Sequence, residues 1–190
     1  MRRVTGLQAA RAMLERGEPL ASLEGQPSLL ASIARAYGEP LTPAQVVDRI
    51  LSDVRLRGDA AIAHHTSLVS GVHVPSLEVA PATVSAACGM IPADLLAALQ
   101  CAAERIRAFH AACAVQAGTR FIDSELGRRC LPLARVGLYV PGGRYSYPSS
   151  VLMSAIPAQV AGVGEVIVAT PPGPGGHVAP ATLAACAIAG

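Results

Sequence analysis

The 190-residue chain has no tryptophan and no lysine, and its aromatic complement is two Phe and four Tyr. So few aromatic rings exclude a protein that reads single strands by stacking bases on side-chain platforms. The absence of Lys removes the phosphate-binding loop of nucleotide triphosphatases, whose Lys reaches the terminal phosphates. All fifteen basic residues are therefore Arg. An Arg fork suits phosphate, although codon bias in a GC-rich genome is the simpler cause. The net charge is +2, and the 13 acidic residues are interspersed with the Arg, so no basic stripe marks a nucleic-acid interface.

Other signatures are missing too. Cys88, Cys101, Cys113, Cys130 and Cys186 contain no C-x-x-C pair, and an odd number cannot all pair within one chain. They read as reduced thiols, most of them small core hydrophobes. His64, His65, His73, His110 and His177 form no H-E-x-x-H or comparable ligand group, and no G-x-S-x-G elbow holds a nucleophilic Ser. Gln8, Arg11, Glu15 and Arg16 interrupt any apolar stretch after Arg2 and Arg3 that would make a signal peptide. The longest apolar stretches are Ala-rich and broken by Pro and Gly, so none spans a membrane. The expected location is the cytoplasm.

What is present is apolar bulk. Hydrophobic residues are 52% of the chain, ample for a core, and with so few aromatics that core must be built by close packing of Ala, Leu, Val and Ile. Helical signals open the chain at 6–16. Thr42-Pro43-Ala44-Gln45 supplies an N-cap, a Pro at the first helical position and a capping-box Gln, followed by Val46, Val47, Ile50, Leu51 and Val54 on an amphipathic helix. Gly58 stops it, and Asp59 is positioned to cap a second helix. A short strand is expected at 77–79 and helical turns at 81–88. Asp94 caps a helix running to about residue 112, with Leu95, Leu96, Leu99, Ala102, Ala103, Ile106 and Phe109 on one side. Arg105, Arg107 and His110 near its expected end suit the C-terminal dipole. Residues 119–135 read as a β-hairpin with Gly127 near the bend.

From Arg135 the pattern changes to strand 136–140, helix 149–161, strand 165–170 and helix 180–189. This βαβα series predicts two parallel strands joined by a right-handed crossover. Between the first strand and its helix lies Pro141-Gly142-Gly143. The turn lets a ligand approach bare backbone, but turn chemistry alone also accounts for it. Ser149 and Ser150 are candidate caps for the following helix. A dinucleotide fingerprint is incomplete: Gly162-Val163-Gly164 leads into a strand, with Ile167 at the third glycine position.

Several ordered motifs together resemble histidinol dehydrogenase. They are Gly137-Leu138-Tyr139-Val140-Pro141-Gly142-Gly143, Tyr147-Pro148-Ser149-Ser150-Val151-Leu152-Met153, Ile156-Pro157-Ala158 and Thr170-Pro171-Pro172-Gly173. Upstream, Val54-Arg55, Gly58-Asp59-Ala60 and Ile106-Arg107-Ala108-Phe109-His110 fall in the family's order. The resemblance implies an α/β fold: a helical N-terminal region with a short β-hairpin, followed by the start of an incomplete Rossmann-like βαβα domain. The expected division is residues 1–134, part of the larger, mostly helical domain, and residues 135–190, the first half of the NAD-binding domain.

By the same resemblance the enzyme is a homodimer that uses NAD and Zn²⁺ to oxidise L-histidinol through L-histidinaldehyde to L-histidine, the last step of histidine biosynthesis. Tyr139 inherits a contact to NAD, and Pro141 is a neighbouring candidate. No catalytic or metal residue carries over, because the family's zinc ligands, substrate contacts and Glu–His acid–base pair lie downstream of the point matching Gly190. The chain is accordingly expected to be an N-terminal fragment without turnover of its own. Two other readings remain open: a related dehydrogenase of another small alcohol, and a non-catalytic truncated paralogue that binds nucleotide or dimerises.

Overall fold

The computed structural model describes residues 5–8, 11, 26–117, 120–121, 126–143 and 145–190, with side chains left aside at 115–117 and 120–121. Most of the helix expected at 6–16 lies outside these residues. Packing divides the chain into two compact units, Met1–Gly71 and Val72–Gly190. The domain boundary expected at 134/135 falls inside the second of these units.

In the first unit, α1 (Pro27–Tyr37), α2 (Pro43–Arg57) and α3 (Asp59–Ser70) pack on one another. The start of α2 follows from its local sequence. The Thr42 hydroxyl accepts from the Gln45 amide at 3.3 Å, and the Gln45 side-chain oxygen accepts from the Thr42 amide at 2.8 Å. Two N-terminal amides that the helix cannot satisfy internally are thereby bonded. Thr42→Ala should cost about 1 kcal/mol of stability in this unit, readable as accelerated hydrogen exchange along α2. Gly58, rather than Asp59, is the N-cap of α3, and Asp59 occupies its first turn. Burial here is sparse. Ile33, Ala61 and His65 are buried, whereas α2 buries no residue and leaves Val47 and Leu51 about half exposed.

The second unit opens without the strand expected at 77–79; Leu77 and Glu78 form a bend and Val79 is irregular. Then come α4 (Pro81–Ala86), a 3₁₀ turn (Ala87–Met90) and the long α5 (Ala93–Ala117). Because α5 runs beyond residue 112, Arg105, Arg107 and His110 are not in its last turn. Arg107 instead donates to the Ala189 carbonyl at 3.2 Å. Phe109 is 65% exposed and meets His110 edge-on, so it does not share in the burial of Leu99 and Ala103 on the apolar side of α5. Asp94, expected to cap α5, lies inside the first turn and accepts from the Leu95 amide at 2.8 Å.

A short antiparallel pair follows, β1 (Arg120–Phe121) and β2 (Gly127–Arg128), in which Gly127 pairs with Phe121 next to the connection, near the bend as expected. The last part of the chain is β3 (Arg135–Tyr139), α6 (Pro148–Val160), β4 (Glu165–Ala169), a 3₁₀ turn (Pro174–Gly176) and α7 (Pro180–Ala189). Strands β3 and β4 are parallel and in register from Arg135↔Glu165 to Tyr139↔Ala169. Among the described residues no single helix is long and apolar enough to cross a membrane.

Alternation along both strands turns Val136, Leu138, Val166 and Val168 inward and Arg135, Gly137, Tyr139, Glu165, Ile167 and Ala169 outward. Leu138, Val166 and Val168 meet a core of Leu99 and Ala103 from α5, Val151, Leu152, Ala155 and Ile156 from α6, and Ala185 and Ala189 from α7. Alanine is what allows these three helices to approach closely. Ala87, Leu183 and Ala184 form a second cluster with Val79, Val84 and Val178 around them. The cysteines depart from expectation. Cys88 and Cys186 are half-buried, but Cys101, Cys113 and Cys130 are exposed, and no disulfide joins any of them. Burial pushes the Cys186 thiol up from its ordinary pKa, as expected of a packing group rather than a thiolate nucleophile.

Candidate functional site

The parallel pair carries its loops at one end. Beyond Tyr139 the chain passes through fully buried Val140, whose amide donates to the Ala169 carbonyl at 2.9 Å and so extends the pairing past β3. Pro141 follows, exposed, and then Gly142 and Gly143. Tyr139 stands on the outward face of the sheet opposite Ala169 and is 73% exposed. Tyr145 and Tyr147 are exposed as well, so three of the chain's four tyrosines cluster in sequence around this turn. The exposed rings at Tyr139, Tyr145 and Tyr147 offer flat apolar faces with hydroxyl tips, unused by the core.

Gly143 has φ of 88°, a conformation that a side chain resists, so turn chemistry explains that glycine. Gly142 has no positive φ, and its reason is space. A Cβ there would overlap the Thr170 hydroxyl and come within 2.9 Å of the Pro171 carbonyl oxygen. The turn after β3 is thus pressed against the loop leaving β4. That second loop folds back on itself: the Gly173 amide donates to the His177 carbonyl at 2.9 Å, and the Gly176 amide to the Gly173 carbonyl at 3.1 Å. Ser149 and Ser150 are not the caps of α6. Tyr147 occupies that position without a side-chain bond, and Pro148 is the first helical residue. The arrangement has two loops side by side at the carboxyl ends of parallel strands, where open α/β sheets bind their ligands.

A polar cluster in the first unit had no sequence signal beyond the i,i+4 spacing of Asp53 and Arg57. His65, 5% exposed, has its Nε2 2.9 Å from the Asp53 carboxylate and its Nδ1 3.2 Å from the Tyr37 hydroxyl, while Arg57 donates to Asp53 at 2.7 Å. Arg49 pairs with Glu39 and lies over the Tyr37 ring, 5.6 Å from its centroid. The Arg57 bond, reinforced by His65, holds the Asp53 carboxyl below its ordinary pKa. Burial raises that of Tyr37. Tyr37, Arg49, Asp53 and His65 line an open depression of about 240 Å³ with Ala36, His64 and Leu68. Both imidazole nitrogens of His65 are engaged within the cluster, which ties three helices together. Among the described residues no three His, Cys, Asp or Glu side chains converge as a metal site would require.

Comparison with known proteins bears on the first of these two places. Residues 35–190 match the family model described as histidinol dehydrogenase. Histidinol dehydrogenase of Deinococcus radiodurans is 42% identical over 183 residues, which is 94% of this chain and 41% of that protein. That of Methanosarcina mazei is 47% identical over 148 residues, 76% of this chain and 34% of that protein. The crystal structure of histidinol dehydrogenase from Elizabethkingia anophelis superposes with a TM-score of 0.69 at 28% identity, covering 77% of this chain and 34% of that one. The chain spans about two fifths or less of the length of these relatives. With a family model matched from residue 35 to residue 190 and relatives at these identities, the chain belongs to the histidinol dehydrogenase family.

Proposed function

We propose that this chain is the N-terminal portion of an NAD-dependent histidinol dehydrogenase and that residues 135–190 begin its nucleotide-binding domain, residues 1–134 belonging to the larger helical one. The reaction is oxidation of L-histidinol through L-histidinaldehyde to L-histidine. The observation that carries the reading is Tyr139: an exposed ring at the carboxyl end of a parallel strand, beside two glycine-rich loops, in a chain of this family.

The fit differs between the two expected cofactors. For NAD the residues are suitable, since Tyr139 offers a ring face and hydroxyl and Pro141 an exposed apolar edge beside it. NAD supplies hydride acceptance when bound; this chain's part is to hold and orient the nucleotide. For Zn²⁺ the described residues do not fit, because they bring no ligand set together. Zinc ligands and the acid–base pair are assigned to the part of the family's length that this chain does not span, as is the rest of the L-histidinol site. A cytoplasmic homodimer is the assembly proposed for the whole enzyme.

Titration of NAD into the 190-residue chain, followed by calorimetry, tests the assignment. Saturable binding should weaken about tenfold or more in Tyr139→Ala, a loss of the size that one aromatic contact supplies. Tyr139→Phe should retain most of it if the ring face carries the contact. Equal affinity of wild type and Tyr139→Ala removes Tyr139 from the site.

A further inference from the structure

We propose that the loop after β4 is the second wall of the dinucleotide site and that Thr170 is a positioning residue, setting the Tyr139–Pro141 turn through direct contact with Gly142. This deepens the nucleotide-binding reading and rests on it. The register Tyr139↔Ala169 delivers both loops to the same level of the sheet. They then meet at successive residues. A Cβ on Gly142 would strike the Thr170 hydroxyl and lie 2.9 Å from the Pro171 oxygen and 3.3 Å from its Cδ. One on Gly143 would lie 3.8 Å from the Pro172 oxygen, and one on Gly173 3.4 Å from the Gly143 oxygen. The contact thus combines the Thr170 side chain and the Pro171 ring with the carbonyl oxygens of Pro171, Pro172 and Gly143.

The feature that separates this from ordinary turn chemistry is Gly142 itself. Its backbone is open to any residue, so only the neighbouring loop demands glycine there. A contact this close leaves the turn no freedom to shift toward β4. Pro141 immediately precedes the interlocked residue and Tyr139 lies two residues further back at the end of β3, so Thr170 and Pro171 fix the turn that leads out of Tyr139 without either needing to touch the reacting atoms. Displacement of such a support by a fraction of an ångström is enough to weaken binding.

The test uses NAD titration of the 190-residue chain alongside hydrogen exchange at residues 141–147. In folded Gly142→Ala the affinity for NAD should fall about tenfold or more. Gly142→Ala/Thr170→Ala, which removes the nearest obstacle, should recover at least about threefold of that loss. Thr170→Val, which puts a larger methyl where the hydroxyl lies and should fold even if Gly142→Ala does not, should weaken NAD about threefold and speed exchange in the turn. Unchanged NAD affinity in folded Gly142→Ala or Thr170→Val overturns the positioning role, as does a double variant no better than Gly142→Ala. Those results leave the nucleotide-binding reading standing; a wild-type chain that binds no NAD instead removes that reading and this inference with it.

Discussion

Leu152→Ala is expected to lower the unfolding free energy of the Val72–Gly190 unit by about 3–5 kcal/mol, the upper part of the range for buried leucines. Leu152 is fully buried and lies where α5, α6 and α7 converge on the inner face of β3 and β4. The cost is high because of what surrounds it. Ala103, Ala155, Ala185 and Ala189 contribute much of the same core, and a methyl has no rotamer with which to swing into a vacated space. The cavity must stay open or the helices must move. Met153, the next residue of the same helix, is 57% exposed, so Met153→Ala should change stability by no more than about 0.5 kcal/mol. Urea unfolding followed by circular dichroism, with hydrogen exchange at the α6 amides as the local readout, measures both. A loss below about 1.5 kcal/mol for Leu152→Ala means that the alanine-rich helices are free to close over the gap.

The same contrast between local and distant determinants explains what could be read from the sequence. The start of α2 was legible to the residue because Thr42, Pro43 and Gln45 act within one turn, and α7 has the bounds expected of it, closing before Gly190. The βαβα order and the parallel pairing of β3 with β4 were legible from alternating apolar runs and turn residues. The strand expected at 77–79 failed for the opposite reason. Its residues have β-like character, but a strand exists only where another strand accepts its bonds. Phe109 shows the equivalent limit for a helix, since periodicity names a face without saying whether anything covers it.

The candidate site divides in the same way. Tyr139 and the glycine turn were visible, but the reason for Gly142 was not: Thr170 and Pro171 are 28 and 29 residues away and reach it only because the strands pair in register. A glycine required by φ and one required by a neighbour look identical in sequence. The distinction changes the expected outcome of mutation. Gly142 is sensitive to what stands at position 170, whereas strain in the left-handed conformation at Gly143 would persist whatever its neighbour.

His65 is the second position where a large effect is expected, and nothing in local spacing pointed to it. His65→Ala should destabilise the first unit by about 2–4 kcal/mol, combining a cavity at a buried ring with a part-buried Tyr37 hydroxyl left without its hydrogen-bond partner. Few other side chains are buried there, so little compensates. Asp53 adds a dependence on pH whose sign follows from its partners. Its carboxyl is held below the ordinary value of 3.8, chiefly by Arg57 and next by His65. As pH falls past that value the unfolded chain takes up the proton first, so stability is lost progressively down to the folded pKa and is fully present above the unfolded one. Asp53→Asn should therefore be less stable than wild type at neutral pH, and the gap should narrow as the solution is acidified through this window. His65→Ala should reduce the slope without abolishing it, because Arg57 still holds the carboxylate. Thermal unfolding followed between pH 2 and pH 6 separates the three proteins. A constant gap between wild type and Asp53→Asn across that range would mean that the ion pair with Arg57 and the hydrogen bond with His65 contribute nothing to folding.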